Sequence, residues 1–291
     1  MNVYEIVTEK ITNLLEQGIV PWRRPWTSTG LPRNIVSKKP YRGINYFLLS
    51  ASKYVSPFWL TYRQATELGG HVRKGEESTI VVLWKVEDFK QSNEDLDTDK
   101  KDDKNRRRFL LRYFRVFNLE QCELPQAVLD KLPKIETHEH NPIEAAERII
   151  AGMPNPPEIQ YAGSKAFYSP ITDRVTLPPR ELFASTEEIY ASLFHELGHA
   201  SGARKRLNRK SIVEGAPFGS ATYSFEEIIA EMSAAYLCAE AGISPAVIEN
   251  ESAYIHNWLK ALRDDRRLVV HAAAQAQKAA DFILGRSAET R

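Results

Sequence analysis

The stretch Ser192–Ser201, SLFHELGHAS, constrains the chain more than any other, because it joins a helix, an apolar surface and three groups that can act on a metal. Residues four apart on a helix project from one face one turn apart, so His195 and His199 present two imidazoles to one point. Glu196 stands beside them, where it can take a proton from a metal-activated water. Ser185-Thr-Glu-Glu188 reads as a capping box that opens this helix, and Gly202 is placed to end it. Ile189, Leu193, Phe194 and Leu197 make the helix apolar around the motif, so histidines without a shared ligand would be buried unpartnered. The pattern asks for one Zn2+ per chain, with Mn2+ or another divalent metal as the alternatives.

A catalytic metal of this kind takes a third protein ligand. The longer pattern HExxHxxGxxH is met through Gly202 but has Lys205 in its last place, and an ammonium group has no lone pair to give; the metzincin class is excluded. His256 and His271 fall in long helical patterns with no partner at motif spacing and read as structural or exposed. The segment FEEIIAEMSAAYL (225–237) offers more. Its apolar stripe is Phe225, Ile228, Ile229, Met232 and Tyr236, while Glu227 and Glu231 share another side with Ala230 and Ala234. Alanines on that side let a second helix come close, and Gly198 and Ala200 permit the approach from the other. Glu227 is the expected third ligand and Glu231, one turn on, orients a ligand histidine; the spacing also allows the two to exchange roles. Glu226 points away from both stripes and is expected in solvent.

HExxH on one helix followed by ExxxE on a later one resembles the gluzincin metallopeptidases, with Glu231 in the place of the commoner Asp. The resemblance implies that strands near 158–177 form a small sheet whose edge receives a peptide. It leaves Tyr223, Tyr254 and His256 as candidates to polarise an oxyanion.

The rest of the chain divides around this site. Val3, Ile6, Val7, Ile11, Leu14 and Leu15 give a first helix stopped by Gly18, and Thr61 caps a short helix that stops at Gly69-Gly70. Two β-rich runs, 78–86 and 109–117, flank a charge-dense segment (87–108) that reads as a long mobile hairpin loop. Asn141-Pro142 looks like a cap with Pro at the first helical position, and short strands are expected near 158–161, 166–169 and 174–177. Helical patterns fill 225–240 and 252–286. The 291 residues suffice for two domains, no run approaches the roughly 18 apolar residues of a membrane span, and MNVYEIVTEK is unlike a secretory signal. Cys122 and Cys238, far apart, suit reduced thiols in a cytoplasm.

Net charge is only +1, yet residues 1–75 hold eleven Lys/Arg against four Asp/Glu. Four of the five tryptophans, Trp22, Trp26, Trp59 and Trp84, lie in the first 84 residues. Cations for phosphates and flat rings for unpaired bases are what single-stranded nucleic acid requires. Trp59 and Trp84, in apolar runs, read as core. Trp22 and Trp26 sit in the Pro- and Arg-rich turn PWRRPW, where core and binding are equally supported. Trp22, Arg23, Arg24, Trp26, Lys38, Lys39 and Arg42 are the candidate DNA contacts.

The order GIVPWRRPW, PYRGINYFLL, GGHVRKGE, HELGH, EEIIAE and YIHNWLKALRDD is similar to the plasmid antirestriction ArdC family along nearly the whole chain. That resemblance implies an N-terminal domain binding single-stranded DNA without strong sequence preference, a metallopeptidase-like C-terminal domain, and protection of incoming conjugative DNA from host restriction. The expected fold is α+β in two domains. A DNA-binding α+β domain covers 1–125, a linker 126–141, and a mostly helical zincin-like (gluzincin) domain with a small antiparallel sheet 142–291. Two rivals remain: a protease that cuts DNA-bound or DNA-crosslinked proteins, in the manner of SprT-like repair proteases, and a DNA-coating protein with a purely structural metal.

Overall fold

Asn2 sets the first helix, α1 (Val3–Glu16): its side chain accepts the Glu5 N–H at 3.0 Å while the Glu5 carboxylate accepts the Asn2 N–H at 2.9 Å. The helix buries the stripe Val7, Thr8, Ile11 and Leu15. The computed structural model describes residues 2–17, 19–22, 31–52, 54, 56–88, 107–132, 142–215, 217, 220–243 and 251–286. Gly18, the charged connection 89–106 and Asn141 therefore lie outside the described residues.

Strand β1 (Arg33–Asn34) leads to α2 (Ile44–Ser50), β2 (Phe58–Leu60), α3 (Tyr62–Glu67) and β3 (His71–Val72). Thr61 caps α3, as the sequence suggests, Gln64 returns the bond to the Thr61 N–H, and Gly69 at φ 80° turns the chain out of it. Next, β4 (Thr79–Asp88) and β5 (Arg107–Asn118) pair antiparallel from Thr79↔Val116 to Asp88↔Arg107. The sheet order is β1-β2-β5-β4, with β1 and β2 parallel. Period-two alternation sorts the hairpin: Val81 and Val116 join Leu49 and Trp59 in a small core, whereas Ile80, Val82 and Leu111 turn to the main one. After β6 (Cys122–Glu123), which pairs with β3, comes α4 (Gln126–Leu129); Leu124 and Leu132 pack there against Ile35, Phe58, Leu60 and Ala65.

The second half begins with α5 (Pro142–Gly152), β7 (Glu158–Tyr161), β8 (Phe167–Ser169) and β9 (Arg174–Leu177). Their sheet, in the order β7-β9-β8, is mixed rather than wholly antiparallel. β8 and β9 are joined by a short turn and must run oppositely, but β7 reaches the far edge of β9 and runs parallel to it. Helices α6 (Thr186–Ala200), α7 (Lys210–Val213), α8 (Ala221–Ala241), α9 (Glu251–Asp264) and α10 (Leu268–Ile283) complete the chain. α8 is the central one, packed by α5, α6, α9 and α10. Buried alanines on α10 (Ala272, Ala273, Ala276, Ala279, Ala280) bring its backbone close to α8, with Ser233 Oγ 3.4 Å from the Ala276 carbonyl.

One continuous apolar cluster joins both halves. Trp22 stands edge-on to Trp258 at 5.2 Å and to Phe47 at 6.2 Å, and Tyr236 lies against Tyr46 and Phe47 at 4.9 and 4.8 Å. Polar bonds follow the same seam. Thr8 Oγ1 donates to the Arg266 carbonyl at 2.6 Å; Tyr236 donates to the Gly43 carbonyl at 2.7 Å, and the Gly43 N–H to Gln277 Oε1 at 3.1 Å. Gly43 holds φ 58° and ψ −142°, a conformation closed to other residues, so the PYRG turn is shaped for this seam. Trp22 is 1% exposed, which removes it from the candidate DNA contacts: its ring is covered by another ring before any base could reach it. Truncating it should cost about 3–5 kcal/mol. Trp22→Ala in the full chain is thus expected to lower one melting transition shared by both halves; an unchanged melting temperature, by calorimetry, would contradict the shared core.

Candidate metal centre

Ser185 opens α6 by accepting the Glu188 N–H at 3.2 Å, and the Glu188 carboxylate accepts the Ala184 N–H at 2.8 Å, one residue further out than a regular capping box. Ile189, Leu193, Phe194 and Leu197 are buried, which fixes the rotation of α6 and turns His195 and His199 toward α8. Ser220 caps α8 four residues earlier than the periodicity suggested, so Tyr223 is helical and lies one turn before Glu227. The two helices meet where neither has bulk. A Cβ on Gly198 would stand 3.1 Å from the Ala230 Cα and 3.3 Å from the Ser233 Cβ.

That approach gathers three donors. His195 Nε2 and His199 Nε2 are 3.2 Å apart, Glu227 Oε2 is 3.5 Å from the first and Glu227 Oε1 is 3.6 Å from the second. Tetrahedral ligands about 2.1 Å from a metal stand roughly 3.4 Å from one another. Spacing and donor chemistry both fit a divalent ion held by His195, His199 and Glu227. Each imidazole has a carboxylate behind it. Glu231 Oε1 lies 3.7 Å from His195 Nδ1, and His199 Nδ1 donates to Glu226 Oε1 at 3.4 Å, leaving the His199 Nε2 lone pair to face the centre.

Burial alone would lower the His195 pKa, but Glu227, Glu231 and Glu196 raise it to about 9. Burial works the other way on Glu227, yet hydrogen bonds from His195 and Tyr223 and the nearby imidazoles hold it down to about 2. Tyr223 is thereby placed on the ligand carboxylate. His256 is exposed on α9, His271 stands edge-on to Tyr4 at 6.0 Å, and the Tyr254 side chain lies outside the described residues.

Glu226 corrects the sequence reading: it is 4% exposed rather than solvated. The expectation considered only the faces of α8 itself, whereas the loop after α6 folds over that helix and brings Arg209 and Ser211 onto the carboxylate. These hydrogen bonds, with that of His199, overcome the effect of burial and lower the Glu226 pKa to about 2. Neither Arg209 nor Ser211 was visible as a site residue, because Arg209 stands in the basic run ARKRLNRK and Ser211 just after it, with nothing local to mark either. Gly202 follows the helix end, as expected, and has a second role. The helix ends at Ala200 with Ser201 as its cap, and Gly202 is needed for space: a Cβ there would lie 2.8 Å from an Arg209 nitrogen and 2.7 Å from Ile212. Lys205, which breaks the metzincin pattern, pairs with Asp173 at 2.6 Å.

Of the other candidate DNA contacts, Lys38 and Lys39 are exposed, Arg42 is ion-paired to Asp281 on α10, and Arg23, Arg24 and Trp26 lie outside the described residues. Trp59 is core, as expected; the Trp84 side chain is outside the described set.

Two family models cover most of the chain. Residues 144–275 match a zincin-like metallopeptidase family, and residues 1–117 match the N-terminal domain of the anti-restriction factor ArdC. The fold and site thus define a zincin-like domain behind an ArdC-type N-terminal domain. Protein y4eC of Sinorhizobium fredii is 37% identical over 97% of this chain and 91% of its own length. A DNA primase TraC of Escherichia coli is 36% identical over 97% of this chain, which spans only 20% of that primase. The crystal structures of the antirestriction ArdC protein from plasmid R388 superpose with a TM-score of 0.76 (metal-free, 34% identity, 97% of both chains) and 0.73 (Mn(II)-bound, 33% identity, 100% of both). The chain belongs to the ArdC antirestriction family.

Two outcomes test the centre. Glu227→Ala should abolish stoichiometric divalent metal by elemental analysis, whereas Glu231→Gln should weaken affinity about 10–100-fold; the reverse ranking would exchange their roles. A proton kept on His195 up to about pH 9 competes with a metal. Affinity should therefore rise with pH toward 9, and titration calorimetry at pH 7 in buffers of different ionisation heat should show about one proton released per ion.

Proposed function

We propose that this chain binds single-stranded DNA through its N-terminal half and hydrolyses a peptide bond at the His195–His199–Glu227 centre, protecting incoming conjugative plasmid DNA from host restriction. The three-donor cluster with Glu196 next to it on the same helix carries the proposal. A divalent metal there, Zn2+ or Mn2+, supplies Lewis acidity. Glu196, 7% exposed and close enough to act on His195, accepts the proton of the attacking water and passes it to the leaving amine. Tyr223 fixes the orientation of Glu227. β8 lies along α6 and pairs only with β9 among the described residues, so its other edge can take up an extended peptide by strand pairing. A host restriction protein or another DNA-bound protein is the substrate this setting favours. Glu196→Gln should keep metal and DNA binding while losing protection in plasmid transfer to a restricting host. Full protection by that variant would favour a coating protein with a structural metal. Cleavage seen only with single-stranded DNA would favour the DNA-dependent protease.

For DNA, the surface moves to the β4–β5 hairpin. Arg112, Tyr113, Phe114 and Arg115 are exposed in succession, with Tyr113 at 43%, Phe114 at 44% and the neighbouring Leu83 at 53%. β5 carries four arginines and no acid. A strand showing rings and guanidinium groups on both faces suits bases that stack and phosphates that pair. Tyr113→Ala with Phe114→Ala in the full chain should weaken binding of an oligo(dT) about tenfold or more in fluorescence anisotropy at low salt. Lys38→Gln with Lys39→Gln should change it less. Unchanged binding by the ring variants rejects this surface, while no binding by the wild type rejects the DNA reading.

A further inference from the structure

The loop after α6 returns two arginines to the end of that helix, and they have different partners. Arg206, with no exposed side-chain surface, donates to the Ala200 carbonyl at 3.1 Å and makes a two-pronged pair with Asp173 at 2.7 and 3.0 Å. It ties the helix to the β8–β9 turn. Arg209 turns the other way. Its guanidinium donates to the Gly198 carbonyl at 2.7 Å, to the His199 carbonyl at 3.4 Å and to Ser201 Oγ at 2.8 Å. The same group grips both oxygens of Glu226, with Nε 3.1 Å from Oε2, and Ser211 Oγ donates to that oxygen too. Glu226 in turn accepts from His199 Nδ1.

We propose that Arg209 is a positioning residue for the metal centre: one planar cation fixes the His199 ring through Glu226 and fixes the helix end carrying that ring through its carbonyls. This rests on reading His195, His199 and Glu227 as metal ligands. Three features set Arg209 apart from a merely structural arginine. The pair is buried, with side-chain exposures of 6% and 5%, so its geometry is not averaged by solvent. The guanidinium fork has donors for the carboxylate and the carbonyls at once, which an ammonium lacks. Gly202 leaves open the space the guanidinium fills. Behind His195 the carboxylate of Glu231 stands 3.7 Å from Nδ1, against 3.4 Å between His199 Nδ1 and Glu226.

The test uses the full chain with three measurements: affinity for Zn2+ and Mn2+ by competition with a chromophoric chelator, the visible spectrum of the Co2+-loaded protein, and melting of the metal-free protein. Arg209→Lys and Glu226→Gln should each weaken affinity about 10–100-fold and change the cobalt bands, which report ligand geometry. Arg206→Lys serves as the control, because it breaks a buried arginine pair in the same loop and should lower the melting temperature while leaving affinity and spectrum unchanged. Should Arg209→Lys fail to fold, Ser211→Ala and Gly202→Ala disturb the same grip more gently and should give the same two effects, smaller in size. Wild-type affinity and cobalt spectrum in the Arg209 and Glu226 variants, or in the two milder ones, would overturn the proposal and leave the metal reading intact. A wild-type chain that takes up none of the three ions would overturn both.

Discussion

The contact of Gly198 with Ala230 and Ser233 is the point on which the centre depends. A helix carrying two imidazoles and a helix carrying carboxylates can share an ion only if their axes come close, and an ordinary side chain at this crossing would hold them apart. With the crossing bare, Glu227 reaches both histidines and the two carboxylates beside it fall behind the rings. Glycine is a poor helix former, at a cost of about 1 kcal/mol, and the burial of α6 between α8 and its sheet offsets that loss.

A second constraint is the seam between the halves. Aromatic residues that look like a nucleic-acid platform in a one-dimensional reading, Trp22 and the PYRGINYF segment, are used to join α1 and α2 to α8, α9 and α10. On the β4–β5 hairpin, by contrast, Tyr113, Phe114 and Arg115 are exposed. The same residue types, rings and cations, are thus divided between packing and exposure by position alone.

Much of this was legible in the residues. The caps of α3 and α6, the three short strands and the shared face of His195 and His199 follow from periodicity and spacing, because each depends on residues within one or two turns. Small residues on both helices signalled the crossing, while spacing left Glu227 and Glu231 interchangeable as third ligand. Glu226 and Arg209 were not legible. A helical face is defined by the helix, but whether it meets water is decided by a segment folding back from elsewhere, and a basic run gives no sign of which cation will be buried. The parallel pairing of β7 escaped for the same reason: it is a long-range choice of edge. Resemblance to a family supplied the expectation of single-stranded DNA, which composition could only suggest.

The bond between Thr8 and the Arg266 carbonyl joins residues 258 apart, and the first helix buries its stripe against the last two. During synthesis at about 5–20 residues per second, that stripe waits roughly 13–50 s before its partners leave the ribosome. Helix α1 can be completed only once α9 and α10 have been made, so until then Val7, Ile11, Leu15 and Trp22 lack the surfaces that cover them.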